Sequence, residues 1–211
     1  MIESLTSLYI FGDSHARYNF KNLDIPHVML SHDSITMHRI GRDNSIVNFH
    51  SQYNGVGNTF VLLYGEVDCR CHIYRQLAEG RELNAVCKTL VDNYFATMAN
   101  NITSYDKIVV CSITPSIRRS EYERVHGVVT HSFPFMGTDD ERVTYTKLMN
   151  SLISEKCREM GYIFLDVFGE YSRDDGTLKS ELSDGICHIS DNSFVLAKLK
   201  QLLSVEHCSR D

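Results

Sequence analysis

The stretch Leu8-Tyr9-Ile10-Phe11-Gly12-Asp13-Ser14-His15 sets the fold class. It begins with a short, continuous apolar run, turns at a glycine and continues into polar residues that suit the start of a helix. Similar apolar runs occupy residues 60–64, 107–112 and 162–167. Continuous runs without polar alternation are typical of strands buried on both faces of a parallel sheet. Residues 28–30 and 35–40 compete for a further strand, and the latter run ends at Gly41.

Helical patterns separate these runs. Apolar residues recur at spacings of three and four between Leu83 and Met98, as on one buried helix face. Thr138 and Glu141 form a capping-box pattern before a second apolar stripe that ends at Gly161. A last helix is predicted to begin near residues 190–191. Alternating strands and helices predict an α/β layer sandwich with a parallel sheet of about five strands.

Composition limits the classes of protein. The 211 residues suit one domain spanning 1–211, and 43% hydrophobic content excludes a disordered chain. A net charge of −6 argues against nucleic acid or an anionic membrane as a partner. No apolar run approaches the ~20 residues of a membrane span. The first residues lack a basic region and a cleavage site, and the seven cysteines are irregularly spaced, so we expect a cytoplasmic protein with reduced thiols.

Two distant segments carry the residues of a possible acyl-transfer site. Ser14 follows the first strand directly, where its hydroxyl can stand above the carboxyl edge of the sheet. The run Ser183-Asp184-Gly185-Ile186-Cys187-His188 precedes the last helix. A serine nucleophile needs a base, and the base needs a carboxylate that fixes its tautomer. Each residue alone suits a cap or a turn, but together they predict a Ser-His-Asp triad.

The order of these motifs resembles the SGNH (GDSL-like) hydrolase superfamily. The resemblance implies a flavodoxin-like three-layer α/β/α sandwich that hydrolyses or transfers acyl groups, often acetyl groups on carbohydrates, without a cofactor or metal. It also implies that Ser14 is the nucleophile, His188 the general base and Asp184 the orienting carboxylate. The blocks Gly65-Glu66-Val67-Asp68-Cys69-Arg70 and 137–143 resemble a subgroup that we associate with polysaccharide-modifying systems.

The sequence departs from the family at the oxyanion hole, the set of donors that stabilises the negative oxygen. Val67 stands where the family's Gly-x-Asn-Asp block has its donor asparagine. We expect Arg70 to replace that donor, and the alternative is that Arg70 only pairs with Glu66 or Asp68. Gly41 is the best match to the family's glycine donor, with Gly55 and Gly57 as rivals.

The spacing of the last block also differs. Asp184 and His188 are four positions apart, whereas the family usually has three. Asp174 or Asp175 is therefore an alternative partner for His188.

Two other patterns have plainer interpretations. Cys69-Arg70-Cys71-His72 contains zinc-ligand types but lacks a second pair at finger spacing, so buried thiols are favoured. Residues 115–135 have the length of a lid or binding loop. Their cationic side chains either bind an anionic or sugar-bearing substrate or form a solvated surface: Arg118, Arg119, Arg124, His126 and His131.

The sequence therefore predicts a serine esterase or deacetylase that removes an O-acyl group, foremost O-acetyl, from a carbohydrate. The expected partner is a small-molecule or glycan acyl ester, and the oligomeric state stays open. The alternatives are a carbohydrate O-acetyltransferase with the same triad and a non-catalytic carbohydrate-binding domain. Val67, which cannot donate to an oxyanion, supports the non-catalytic alternative.

Overall fold

A computed structural model describes residues 7–53, 55–103, 106–128 and 133–204. Five strands form one parallel sheet in the order β2-β1-β3-β4-β5. They are β1 Leu8–Gly12, β2 His27–Ser31, β3 Thr59–Leu63, β4 Lys107–Cys111 and β5 Ile163–Leu165. The predicted fold class, an α/β protein with a five-stranded parallel sheet, is confirmed.

Helices cover both faces of this sheet. They are α1 Ser14–Asn19, α2 Met37–Asp43, α3 Ile73–Ala78, α4 Leu83–Asn101, α5 Arg119–His126, α6 Asp139–Met160, α7 Phe168–Tyr171 and α8 Ser193–Ser204. Short 3₁₀ helices span Ser51–Tyr53 and Ser180–Leu182, and a π-helical segment, Asp68–His72, leads into α3. One apolar core lies between the sheet and α2, α4 and α6, and the other lies against α1, α7 and α8. No helix among these ranges is long and apolar enough to span a membrane.

The helix ends follow the sequence signals. The Thr138 side chain accepts the backbone N–H of Glu141, and Glu141 reaches back to the amide of Thr138. Gly161 closes the same helix in the left-handed conformation (φ 70°), which favours glycine. The last helix begins at Ser193, slightly later than predicted.

Of the two runs that compete for the second strand, residues 28–30 lie in it. The strand is His27–Ser31, whereas residues 35–40 run into α2, where the Thr36 side chain accepts the backbone N–H of Arg39. Gly41 therefore lies inside a helix, where its N–H donates along the helix and is not available to a substrate. A Cβ at Gly41 would lie 2.6 Å from Cβ of Asn93, so glycine is needed there for the contact between α2 and α4. The assignment of Gly41 to the oxyanion hole is wrong.

The predicted loop 115–135 contains α5. Arg118 pairs with Asp175, and Arg119 pairs with Glu123 at 2.7 Å. These guanidinium groups are thus already neutralised by carboxylates of the protein, which weakens the case for a substrate-binding role. His126 Nε2 lies 3.1 Å from the carbonyl oxygen of Gly185, so α5 touches the loop that carries Asp184 and His188. His131 lies outside the described residues.

Candidate active site

Ser14 stands at the carboxyl end of β1 as the first residue of α1. Asp13 caps this helix by accepting the backbone N–H of His15 at 2.9 Å. The turn is tight: a Cβ on Gly12 would lie 2.6 Å from the carbonyl oxygen of Leu63 in β3. Glycine therefore lets β1 and β3 approach closely beneath the serine. The Ser14 side chain remains partly exposed at this edge of the sheet.

His188 lies between Ser14 and Asp184. Its Nε2 is 3.0 Å from Ser14 Oγ, and its Nδ1 is 2.8 Å from Asp184 Oδ2. Both distances are within hydrogen-bond reach, as a nucleophile, a base and an orienting carboxylate require. The structure thus brings Ser14 into contact with His188, although the two residues are 174 positions apart in the sequence. Asp175, the alternative carboxylate, instead bonds to Thr177 and Arg118.

A closed turn accommodates the extra residue between Asp184 and His188. Asp184 Oδ1 accepts the backbone N–H groups of Ile186 at 2.8 Å, Cys187 at 3.1 Å and His188 at 3.0 Å. The N–H of Asp184 donates to the carbonyl oxygen of His188 at 3.0 Å. Gly185 supplies the positive φ (80°) that the turn needs. One oxygen of Asp184 therefore fixes the backbone of the turn while the other meets the imidazole.

The local charges favour a protonatable base. Burial acts to lower the pKa of His188, but the hydrogen bond to Asp184 and the contact with Cys187 together outweigh it, so the pKa of His188 lies above its ordinary value. Burial acts to raise the pKa of Asp184, yet hydrogen bonds from the His188 ring and from backbone amides lower it. Asp184 is accordingly ionised at neutral pH and stabilises the imidazolium form of His188.

Three residues around His188 were missed by the sequence interpretation. The Tyr18 ring stacks on the imidazole with centroids 4.0 Å apart, and the His15 ring lies 4.7 Å away. Cys187 Sγ is 3.6 Å from His188 Nε2. The only sequence signal for them is adjacency, because His15 follows the serine and Cys187 precedes the histidine. Burial acts to raise the pKa of Cys187, but contacts with His15 and His188 lower it.

A buried charged group lies beneath the serine. His15 is fully buried, with Nδ1 3.2 Å from Asp13 Oδ1 and Nε2 3.6 Å from Glu66 Oε2. Glu66 also pairs with Arg70, whose Nε is 3.0 Å from Glu66 Oε1. Burial acts to lower the pKa of His15, but the charges of Asp13 and Glu66 raise it well above the ordinary value. His15 is thus held as a cation between two carboxylates.

Val67 and Arg70 have different surroundings. The Val67 side chain is buried and carries no hydrogen-bond donor. Besides pairing with Glu66, Arg70 donates from Nη1 to the carbonyl oxygen of Phe133 at 2.8 Å. These are the contacts expected if Arg70 stiffens its segment, and its role toward an oxyanion stays a prediction. Asp68, the other expected partner, instead accepts the amides of residues 37 and 38 at the start of α2.

The two subgroup blocks of the sequence meet in space. The Arg70 guanidinium carbon lies 5.5 Å from the centroid of the Phe135 ring, and that of Arg142 lies 5.3 Å from the same ring. Arg142 is fully buried and donates to the carbonyl oxygens of Met136 and Gly137, both at 2.9 Å. The backbone N–H of Met136 donates to the carbonyl oxygen of Arg70 at 3.0 Å. The blocks 65–70 and 137–143 therefore form one packed unit beside the serine strand.

The cysteines of residues 69–72 lie in buried positions. Burial raises the pKa of Cys71 to about 11, and its Sγ donates to the carbonyl oxygen of Val67 at 3.2 Å. Burial and the neighbouring His38 lower the pKa of His72 to about 4. The Cys71 thiol is thus protonated at neutral pH and hydrogen-bonded to the backbone, as expected of a buried thiol.

Comparisons with known proteins agree with the fold. A Streptococcus pneumonia protein described provisionally as a platelet activating factor superposes with a TM-score of 0.64 at 18% identity, over 96% of this chain and 86% of the other. The aryl esterase of M. smegmatis gives 0.55 at 12%, over 94% and 99%. A Desulfitobacterium hafniense DCB-2 protein, provisionally described as a lipolytic protein of the G-D-S-L family, gives 0.53 at 13%, over 93% and 97%. No protein-family model and no curated protein matches the sequence. The chain therefore shares the three-layer fold of these proteins.

Proposed function

We propose that this protein is a serine esterase that removes an O-acyl group, foremost an O-acetyl group, from a carbohydrate through an acyl-enzyme on Ser14. The observation that carries the proposal is the chain of contacts from Ser14 Oγ through the His188 ring to Asp184 Oδ2, at 3.0 Å and 2.8 Å. An isolated serine or histidine has structural uses, but a binding domain has no use for all three in this arrangement. The shared fold with an aryl esterase supports the same reaction class.

The reaction follows from the order of the contacts. Ser14 Oγ attacks the acyl carbonyl carbon while Nε2 of His188 takes its proton. Asp184 stabilises the imidazolium that forms, because its Oδ2 accepts from Nδ1. His188 then gives the proton to the departing alcohol oxygen, and the acyl group remains on Ser14. Water attacks this ester and loses a proton to Nε2, which then returns that proton to Ser14 Oγ as the carboxylic acid leaves.

Donors for the negative oxygen come from two places. The Ser14 amide lies in the first turn of α1, where N–H groups have no intrahelical acceptor. The second donor is Arg70, which replaces the side-chain amide of the family's asparagine, because the Val67 side chain has no donor. Its guanidinium is buried beside the serine strand, and Nε and Nη1 already have partners, so Nη2 is the candidate donor.

The carbohydrate part of the proposal rests on the paired blocks. Residues 65–70 and 137–143 resemble a subgroup associated with polysaccharide modification, and they pack together around Phe135. That common unit lies next to the candidate nucleophile, because Glu66 contacts His15. This proximity supports a role for the unit in substrate selection within this proposal.

A fluorophosphonate probe tests the nucleophile directly. We expect labelling of the purified chain at Ser14, loss of labelling in Ser14→Ala, and retention in Ser51→Ala, an exposed control serine. Acetate release from an aryl acetate and from acetylated oligosaccharides then tests the substrate class. If the protein hydrolyses the aryl ester in preference to every acetylated sugar, the proposed esterase activity stands and the proposed carbohydrate substrate is wrong.

The non-catalytic alternative has one observation in its favour, the buried Val67 at the position of the family's donor asparagine. It predicts no probe labelling but saturable binding of a glycan. Acetyl transfer to an added sugar instead of water would identify the transferase alternative.

A further inference from the structure

We propose that His15, Cys187 and His188 form a binding site for a soft divalent cation, with Zn²⁺ as the expected ion, and that this ion inhibits the triad. The ligand atoms are one imidazole nitrogen from each histidine and the thiolate sulfur of Cys187. Binding depends only on these side chains, whereas inhibition rests on the function proposed above. The ion acts as a reversible inhibitor and has no part in the reaction.

The distances suit zinc. One possible ligand atom from each of the three residues lies within 4.8 Å of the other two, and Cys187 Sγ is 3.6 Å from His188 Nε2. Tetrahedral zinc with Zn–S of ~2.3 Å and Zn–N of ~2.05 Å separates sulfur from nitrogen by roughly 3.6 Å. That pair is thus already at ligand spacing, and His15 supplies the third ligand from within 4.8 Å of both.

Both histidines have the outer contacts of zinc ligands. Nδ1 of His15 lies 3.2 Å from Asp13 Oδ1, and Nδ1 of His188 lies 2.8 Å from Asp184 Oδ2. In metal sites, a carboxylate on one ring nitrogen orients the other nitrogen toward the ion. Here two carboxylates do so on neighbouring rings whose centroids are 4.7 Å apart.

Binding exchanges existing contacts. Nε2 of His15 now lies 3.1 Å from the carbonyl oxygen of Cys187, and this contact is lost when the nitrogen becomes a ligand. Nε2 of His15 and Sγ of Cys187 each give up a proton to solvent on binding. Cys187 is the partly exposed member of the cluster, whereas His15 and His188 are buried, so an ion would approach from the side of Cys187.

Inhibition follows from the shared nitrogen. Nε2 of His188 is the atom that lies 3.0 Å from Ser14 Oγ and would take its proton. A lone pair bound to zinc cannot accept that proton, so the serine loses its base. Removing the ion with a chelator restores the free imidazole.

The first experiment measures binding without reference to catalysis. Calorimetric titration with Zn²⁺ alone should give one ion per chain for the wild-type protein and for Ser14→Ala. Cys187→Ala and Cys187→Ser should each weaken binding by about tenfold or more. His72→Ala is the matched control from the other Cys/His cluster, and His207→Ala/Cys208→Ser controls for ligands in the C-terminal residues. Both controls should bind as the wild type does.

Cobalt provides a direct view of the sulfur. Co²⁺ bound to the wild-type protein should show a thiolate-to-metal charge-transfer band that disappears in Cys187→Ala. Unchanged zinc affinity in both Cys187 variants, or the absence of this band, would overturn the site.

The second experiment measures inhibition. Zn²⁺ should slow fluorophosphonate labelling of Ser14, and a chelator should restore it, with each variant compared with its own zinc-free rate. Binding without slower labelling would overturn the inhibitory role. If the zinc-free chain is neither labelled nor active but still binds zinc through Cys187, the proposed function fails while the metal site stands.

Discussion

Asp184 contacts His188 twice across one turn: Oδ1 accepts the backbone N–H of His188 at 3.0 Å, and Oδ2 lies 2.8 Å from Nδ1 of its ring. The two contacts couple the path of the backbone to the direction of the imidazole. They explain why one additional residue between the aspartate and the histidine does not separate the pair. The turn takes up the extra length because Oδ1 also accepts two intervening amides.

Asp184→Asn should lower kcat/KM for a small acetyl ester by about 10⁴-fold, because the amide can favour the wrong tautomer of His188 and cannot stabilise its cation. The asparagine oxygen can still accept from the turn amides, so we expect a small change in melting temperature. Asp175→Asn is the matched control, since Asp175 pairs with Arg118. A larger loss of activity in the Asp175 variant would reassign the orienting carboxylate.

The pH dependence of kcat/KM should report the base. His188 must be neutral to take a proton, and its pKa lies above the ordinary value of 6.5 because its contacts with Asp184 and Cys187 together outweigh burial. The rate should therefore rise with pH through a midpoint above 6.5. Asp184→Asn removes the charge and should move that midpoint to lower pH in the residual activity. An unchanged midpoint in this variant would mean that another group controls the rate.

The sheet and the candidate triad could be predicted because their signals are local. Continuous apolar runs identify buried strands, Ser14 directly follows the first of them, and His188 lies in the loop that precedes α8. Residues 35–40 resemble a strand in composition because Ile35 and Ile40 are both buried in the apolar core that α2, α4 and α6 form with the sheet. Apolar composition alone does not separate such a short helix from a strand.

The neighbours of the triad could not be predicted in the same way. Their proximity depends on how the β1–α1 turn docks against the loop before α8, and no spacing in the sequence encodes that docking. His15 and Cys187 are 172 residues apart and are joined by a contact from a ring nitrogen to a backbone carbonyl.

Arg70→Ala should lower turnover of a small acetyl ester by about 10²-fold, the typical cost of losing one oxyanion donor. It should also lower the melting temperature, because the buried Glu66 loses its nearest cation. The double variant Glu66→Gln/Arg70→Ala also removes the carboxylate that Arg70 neutralises, so it should recover part of the stability without recovering the rate. Recovery of both would make Arg70 a structural residue and leave the oxyanion donor unidentified.

Gly41→Ala should affect stability alone. The added methyl group would lie 2.6 Å from Cβ of Asn93, so α2 and α4 must separate slightly, at a cost of about 1–3 kcal/mol. Chemical denaturation should show this loss, while kcat on the same acetyl ester stays unchanged after correction for folded protein. A lower kcat at unchanged stability would show instead that Gly41 contributes to the oxyanion hole.

His15→Gln should reduce stability most at low pH. The pKa of His15 in the folded protein lies well above its ordinary value because Asp13 and Glu66 outweigh burial. A raised folded pKa contributes stability that is fully present below the unfolded value, near pH ~6.5, and is lost as pH rises through the folded value. The glutamine variant lacks this contribution and leaves two buried carboxylates short of a cation, so it should lose about 3 kcal/mol at pH ~6. Urea denaturation of both proteins at pH ~6 and pH ~9 measures the difference. The difference in the free energy of unfolding between the two proteins should be smaller at the higher pH. An equal or larger difference would show that His15 is buried in its neutral form.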